Sequence, residues 1–323
     1  MKIRLYNQEI FQGNLKKKRY FEGWYFKHVT SDTHQVYSFI PGISLNKNDS
    51  HAFIQVINGH TGATEYISYP LEEFEWDKKK LYLKIGNSVF TDKYIEPDIE
   101  SENFKISGHI RYSDVLKYPK SLFSPGIMGW YSFIPSMECK HGVVSVNHNL
   151  TGILKINNKS IDFDGGKGYI EKDWGISFPE AWLWIQANNF ADRETSFTFS
   201  LAKIPWKGKF FIGFIAFLYY NKKFFIFATY NNSVVSEIKP AIDSVRLTLN
   251  NNNFVLKVTS TKKTFGVLKA PLMGIMSKRI KESIDSTVDL SLFDKHNNLI
   301  YKDSSNVAGL EIIDTIFDYL SDI

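Results

Sequence analysis

The chain has 323 residues, 43% hydrophobic and 23% charged, the composition of a folded globular protein of one large or two medium domains. Aromatic side chains reach 15%, an excess that favours strands and can line an apolar pocket. The net charge of +5 is scattered, apart from short basic runs at 15–19 and 77–80; with no recognition motif beside them, nucleic acid is excluded as the expected partner, while weak attraction to an anionic membrane surface stays open.

The N-terminal segment MKIRLYNQEIFQGNLKKKRY has no apolar signal region. From Tyr20 the chain reads as short strands separated by turns: YFEGWYFKHVT, HQVYSFIPGISL and HAFIQVIN, then LYLKIG, NFKISGHIRY and VVSVNHNLTGILKIN. After residue 190 come SFTFSLAKI, KFFIGFIAFLYY, KKFFIFATY, SVRLTLN, NFVLKVTS, STVDLSLFD and NLIYKDS, with Asn- and Gly-rich turns between them. The apolar run at 210–220 is too short to span a bilayer and fits a buried strand. Helical spacing appears only late. APLMGIMSKRIKES allows a turn or two, and AGLEIIDTIFDYLSDI predicts a C-terminal helix from Leu310, Ile313, Ile316, Phe317 and Leu320. Many short strands with few helices point to β-barrels or sandwiches. A faint repeat, EGWYFKH at 22–28 and EAWLWIQ at 180–186, suggests two related barrels.

Familiar catalytic templates are missing: there is no G-x-S-x-G elbow, Walker loop or dinucleotide fingerprint. The eight histidines show no metal-ligand spacing, so no metal is expected unless distant residues converge. The lone Cys139 excludes a disulfide framework and reads as a small, partly buried side chain in a cytoplasmic protein, at most peripheral to the membrane. What remains is carboxylates among aromatics. Glu22 sits in YFEGWYF, and Glu171 and Asp173 in EKDWG, ahead of Trp174, Trp182 and Trp184. A carboxylic acid in an apolar, aromatic site can stay protonated near neutral pH and act as a general acid, and aromatic faces stabilise the cation made by protonating an alkene. The alternative is that these acids pair with Lys172 or arginines on a surface turn, with the tryptophans as core.

The segments YFEGWYFK and EKDWGISFPEAWLWIQANNF closely resemble the two signatures of the tocopherol cyclase family, and PGIMGWYSFIPSMECKHGVVSVNHNL and the C-terminal LKAPLMGIMSKRIKESIDSTVDLSLFD extend the resemblance over nearly the whole chain. The resemblance implies a mainly β protein of two lipocalin-like (calycin) β-barrels with a short C-terminal helix, divided into 1–165 and 166–323. It implies protonation of an isoprenoid double bond and capture of the tertiary cation by a phenol oxygen or, as in the related carotenoid hydratases, by water, with no cofactor. Glu171 matches the family acid and Asp173 stands where the family usually has Asn; Glu22 is either a further catalytic acid or a structural one tying the barrels together. Trp24, Tyr25, Trp174, Trp182, Trp184, Gln186 and Asn188 match the remaining signature positions and are expected to bind the ligand, with Trp24, Trp174 and Trp184 in one cavity. Gly175, Phe178 and Pro179 also match. Two functions compete: an enzyme acting on a prenylated quinol or related isoprenoid lipid, and a non-catalytic binder of a hydrophobic ligand.

Overall fold

The computed structural model describes residues 2–135, 137–206 and 209–320. The chain divides into two units, Met1–Phe178 with Gly266–Ile280, and Pro179–Phe265 with Lys281–Ile323. Among the described residues nearly all the regular structure is strand, the outcome that the β-branched and aromatic composition favours.

After a short helix, α1 (Lys2–Tyr6), the first unit builds β1 (Arg19–Val29), β2 (Val36–Asn46), β3 (His51–Asn58) and β4 (Thr64–Pro70) as a meander. Then come β5 (Phe74–Trp76), β6 (Tyr82–Ile85), β7 (Ser88–Thr91), β8 (Tyr94–Glu96), β9 (Asp98–Glu100), β10 (Lys105–Leu116), β11 (Cys139–Ile156), β12 (Lys159–Asp162) and β13 (Lys167–Gly175). The sheet order is β4-β3-β2-β1-β13-β11-β10-β8-β7-β6-β5. Its two terminal strands are joined by a three-residue 3-10 turn, Leu71–Glu73, so the sheet returns on itself as a nearly closed barrel. Trp24, Phe26, Phe39, Ile54, Phe90, Leu154 and Ile170 fill it.

The second unit repeats the plan. Its strands are β14 (Trp182–Ala187), β15 (Ser196–Trp206), β16 (Lys209–Tyr220), β17 (Lys223–Ala228), β18 (Val234–Pro240), β19 (Ser244–Asn250), β20 (Phe254–Thr261), β22 (Ile275–Asp294, whose first residues lie in the first unit) and β23 (Leu299–Ile312); β21 (Gly266–Leu272) pairs with β22. The order is β17-β16-β15-β14-β23-β22-β20-β19-β18, and the 3-10 turn Thr229–Asn231 again stands between its terminal strands. In each unit the first strand pairs with the second and with the last. Tight two-residue hairpins turn through left-handed residues, three of them asparagines, at Asn157–Asn158 and Asn221–Lys222.

Three expectations change. The stretch 270–283 holds no helical turn but the β21–β22 hairpin. The C-terminal helix is shorter: β23 runs to Ile312 because Leu310 and Ile312 pair with Ile185 and Leu183, and only a 3-10 helix, Asp314–Tyr319, follows; residues 321–323 lie outside the described residues. The division falls after Phe178 rather than at 165/166, because β13 is hydrogen-bonded between β1 and β11 of the first unit. No helix among the described residues is long and apolar enough to cross a membrane.

Candidate functional site

β13 sets the site by alternation. Ile170, Lys172 and Trp174 point to one side and Tyr169, Glu171 and Asp173 to the other. Ile170 and Trp174 belong to the barrel core, so the first set faces inward. β1 pairs in register, with Trp24 beside Lys172 and Glu22 beside Trp174 on the inner side, and Tyr25 beside Glu171 on the outer side.

The inner side holds a buried ion pair. Lys172 Nζ contacts the Glu22 carboxylate, and neither side chain is exposed. The ammonium also donates to the carbonyls of Gln8 (2.8 Å) and Ile10 (2.5 Å) and lies 4.5 Å from the Trp24 ring centre and 4.9 Å from that of Trp174. Glu22 accepts from the Gln12 and Gly13 backbone N–H groups (2.7 and 2.9 Å) and from Tyr20 Oη (2.5 Å). Burial lowers the Lys172 pKa and Glu22 opposes that shift. Glu22 thus anchors the segment 8–13 within its own barrel.

The outer side assembles different chemistry. His141 on β11 pairs in register with Asp173, and Val143 with Glu171. His141 Nδ1 lies 3.0 Å from Asp173 Oδ1, and Nε2 lies 3.7 Å from Glu171 Oε2. Tyr169 Oη donates to the same Glu171 oxygen at 2.7 Å. Side-chain exposure rises from 7% at Glu171 through 13% at His141 to 26% at Asp173, so the chain of groups leads from a buried carboxylate toward solvent. Burial disfavours the imidazolium, but the charges of Asp173 and Glu171 and the hydrogen bond to Asp173 outweigh it, raising the His141 pKa to about 9. The Cys139 thiol, 4.0 Å from Asp173, is pushed well up by burial and by the acids at 173 and 138, which leaves it un-nucleophilic.

One ligand atom from each of His141, Glu171 and Asp173 lies within 4.8 Å of the others, a spacing that a divalent cation can bridge. His141 offers one ring nitrogen to each carboxylate. Only the Nδ1 side is a hydrogen bond, to Asp173 at 3.0 Å; Nε2 is buried without a hydrogen-bond partner among the described residues, 3.7 Å from Glu171.

The structure therefore brings Glu171 and Asp173 together, with Tyr25 on the neighbouring strand, and puts Glu22, Trp24 and Trp174 on the opposite side of the same strands. Trp182, Trp184, Gln186 and Asn188 belong to the second unit. There Leu183, Ile185 and Ala187 fill the barrel, and Trp182, Trp184 and Gln186 take the other side of β14. Trp182 Nε1 donates to Glu311 Oε2 at 2.6 Å, Trp184 lies over Gly309, and Gln186 Nε2 donates to Asn188 Oδ1 at 3.2 Å. Sequence reasoning missed His141 and Tyr169. Tyr169 was findable, two residues before Glu171 on a strand; His141 had no local signal.

A family model described as tocopherol cyclase-like matches residues 102–313. That range holds His141, Glu171 and Asp173, while the first signature strand lies before it. A probable chloroplastic tocopherol cyclase of Oryza sativa subsp. japonica is 26% identical over 233 residues, 68% of this chain and 48% of the relative. The chloroplastic tocopherol cyclase of Zea mays is 25% identical over 195 residues, 57% and 41% of the two chains. The chain spans about half the length of the curated relatives it matches. Among solved structures, CghA superposes with a TM-score of 0.58 at 9% identity, covering 91% of this chain and 88% of that one. A Nitrosomonas europaea protein described as an AttH gives 0.51 at 11% identity, covering 91% and 92%. Identities this low show the fold alone.

Proposed function

We propose, on the premise that this chain belongs to the tocopherol cyclase-like family, that it is an acid catalyst adding an oxygen across an isoprenoid double bond, with Glu171 as proton donor. The observation that supports this reading is the cluster Asp173–His141–Glu171–Tyr169, in which a buried carboxyl lies 3.7 Å from an imidazole that is hydrogen-bonded to the more exposed Asp173. Glu171 delivers its proton to the less substituted alkene carbon, leaving a tertiary cation. A phenol oxygen of the same substrate, or water, forms the new C–O bond and releases its own proton, so the reaction is redox-neutral. The proton released at the new C–O bond returns to Glu171 by way of His141, which Asp173 holds by a hydrogen bond. Tyr169 holds the Glu171 oxygen in place. Glu22, saturated by its ion pair and backbone donors, is left as a structural acid. A prenylated quinol is the substrate class that suits both outcomes. Tyr25, beside Glu171 on the neighbouring strand, is a proposed ligand contact.

The test incubates the protein with prenylated hydroquinones in deuterated water. Deuterium should enter the carbon next to the new C–O bond with wild type. Glu171→Gln should lose about a hundredfold to ten-thousandfold in rate while still retaining ligand, whose affinity comes from apolar burial at roughly 25 cal/mol per Å². If wild type binds the panel but incorporates no deuterium, the protein is a binder and not an enzyme; if Glu171→Gln turns over normally, the donor is another group.

A further inference from the structure

The function proposed above leaves the basic run at 15–19 unused, and the structure places it beside an apolar turn. The β21–β22 hairpin reverses at Met273 (φ 52°) and Gly274 (φ 83°), both left-handed. Its backbone is fastened to the rest of the first unit, of which it is part. The Gly274 N–H donates to the Ile176 carbonyl and the Met273 N–H to Ser177 Oγ, while Ser44 Oγ donates to the Gly274 carbonyl, each at 2.7 Å. A Cβ on Gly274 would lie 2.7 Å from Leu45 O and Tyr20 N and 3.0 Å from Arg19 Cα, so the turn is seated on the ends of β1 and β2. Farther along, Gln55 bonds both backbone groups of Lys269, and Thr64 bonds the Val267 carbonyl.

A turn held this firmly turns its side chains outward. Leu272 is 52% exposed, Met273 42%, Ile275 39% and the neighbouring Ile176 38%. Exposed cations lie on the segments that seat the turn: Lys16, Lys17, Lys18 and Arg19 lead into β1, and Lys47 follows the Arg19–Asn46 pair. The segments 15–19, 43–48 and 272–280 contain no acid; the exposed acids beside them are Asp49, paired with His51, and Glu138, whose carbonyl accepts the Ile176 N–H. A second copy of this chain would set cations against cations on such a surface. A fixed apolar tip seated on segments that carry lysines suits an anionic lipid surface, where apolar side chains enter the headgroup boundary and cations remain with the phosphates.

We propose that the turn Leu272–Ile275 and the basic run 16–19 form a docking surface for an anionic bilayer. The proposal stands independently of catalysis, because it rests on residues that take no part in the proposed reaction. It is tested by sedimenting the full chain with vesicles of phosphatidylcholine alone or with added phosphatidylglycerol. Wild type should sediment only with the anionic vesicles, and less so as salt is raised. Each cation at such a surface contributes about fivefold in affinity, so Lys16→Glu with Lys18→Glu should weaken binding at least 25-fold. Leu272→Ser with Ile275→Ser should weaken it about tenfold or more, through lost apolar burial. Lys16→Arg with Lys18→Arg should bind as wild type. Lys155→Glu with Lys159→Glu makes the same charge change on the exposed β11–β12 hairpin and should change binding by less than about twofold. Equal binding to neutral vesicles overturns the proposal, as does an equal loss from the 155/159 variant. So does a wild-type dimer that Leu272→Ser with Ile275→Ser converts to monomer, which would make a second copy the occupant.

Discussion

His141 faces one carboxylate with each ring nitrogen, and this doubles the charge that holds its proton. The family usually has Asn where Asp173 stands. Asp173→Asn keeps the size of the side chain but removes one of the two charges, so the His141 pKa should fall from about 9 toward the ordinary histidine value of 6.5. In the reading proposed here, activity should persist at neutral pH while its alkaline limb moves down. The imidazole resonances, followed by NMR across pH, check the shift without needing a substrate. An unchanged His141 titration would refute the charge assignment. The raised pKa also has a sign for stability. The imidazolium is favoured in the folded state, so its contribution is complete below pH 6.5 and is lost as pH rises through about 9. His141→Gln should flatten that loss in urea denaturation. Glu171 was legible because its motif names it; His141 was not, because only the β11–β13 register brings Cys139–Val143 against Glu171–Gly175.

On β13 one strand carries two kinds of acid–base pairing on its two sides. Inside, Lys172 and Glu22 are removed from water together. Lys172→Met should destabilise the protein by about 3–5 kcal/mol, because it leaves Glu22 charged and buried. Adding Glu22→Gln should recover a substantial part of that, since a matched apolar and neutral replacement of a buried pair is often close to neutral. Urea midpoints of wild type, single and double variants measure both; equal losses in single and double would show that the carboxylate does not depend on the ammonium. The strands themselves were readable from alternation, but their ends and faces depend on partners. Ala308, Leu310 and Ile312 fit a strand as well as Leu310, Ile313 and Ile316 fit a helix, and pairing with β14 decides the matter up to Ile312. The repeat is a similar case. β1 and β14 do hold equivalent places in their sheets, yet Trp24 points into its barrel while Trp182 points out of its own. The seven-residue match therefore aligns opposite sides of equivalent strands, the consequence of a period of two.

At the scale of the whole molecule, the two units have separate cores but very different acid–base content. Seven of the eight histidines, at 28, 34, 51, 60, 109, 141 and 148, lie in the first unit; only the exposed His296 lies in the second. Two of the seven are buried inside the first barrel. His28 Nε2 is 2.7 Å from Tyr112 Oη, and His148 Nδ1 is 2.7 Å from Ser145 Oγ, with the His148 and Tyr112 ring centres 4.2 Å apart. Burial lowers the His28 pKa to about 3, although a bond to the Phe26 backbone opposes it. Burial also lowers that of His148 well below 6.5, helped by its positively charging neighbours His28 and Lys167. Both are therefore neutral in the folded state, and the unfolded chain binds two more protons once the pH drops below 6.5. Stability present above that value is lost as pH falls toward 3, with a slope of about 1.4 kcal/mol per pH unit for each histidine. The loss should be confined to the first unit, so acid denaturation should not be a single two-state step. Hydrogen exchange resolved along the sequence should show β1, β10 and β11 opening first as pH falls from 6.5, while β15, β16 and β19 remain protected. His28→Gln with His148→Gln should reduce the slope in the first unit without altering protection in the second. If both units lose protection together at every pH, the neutral histidine pair does not set the acid limit and the two barrels unfold as one.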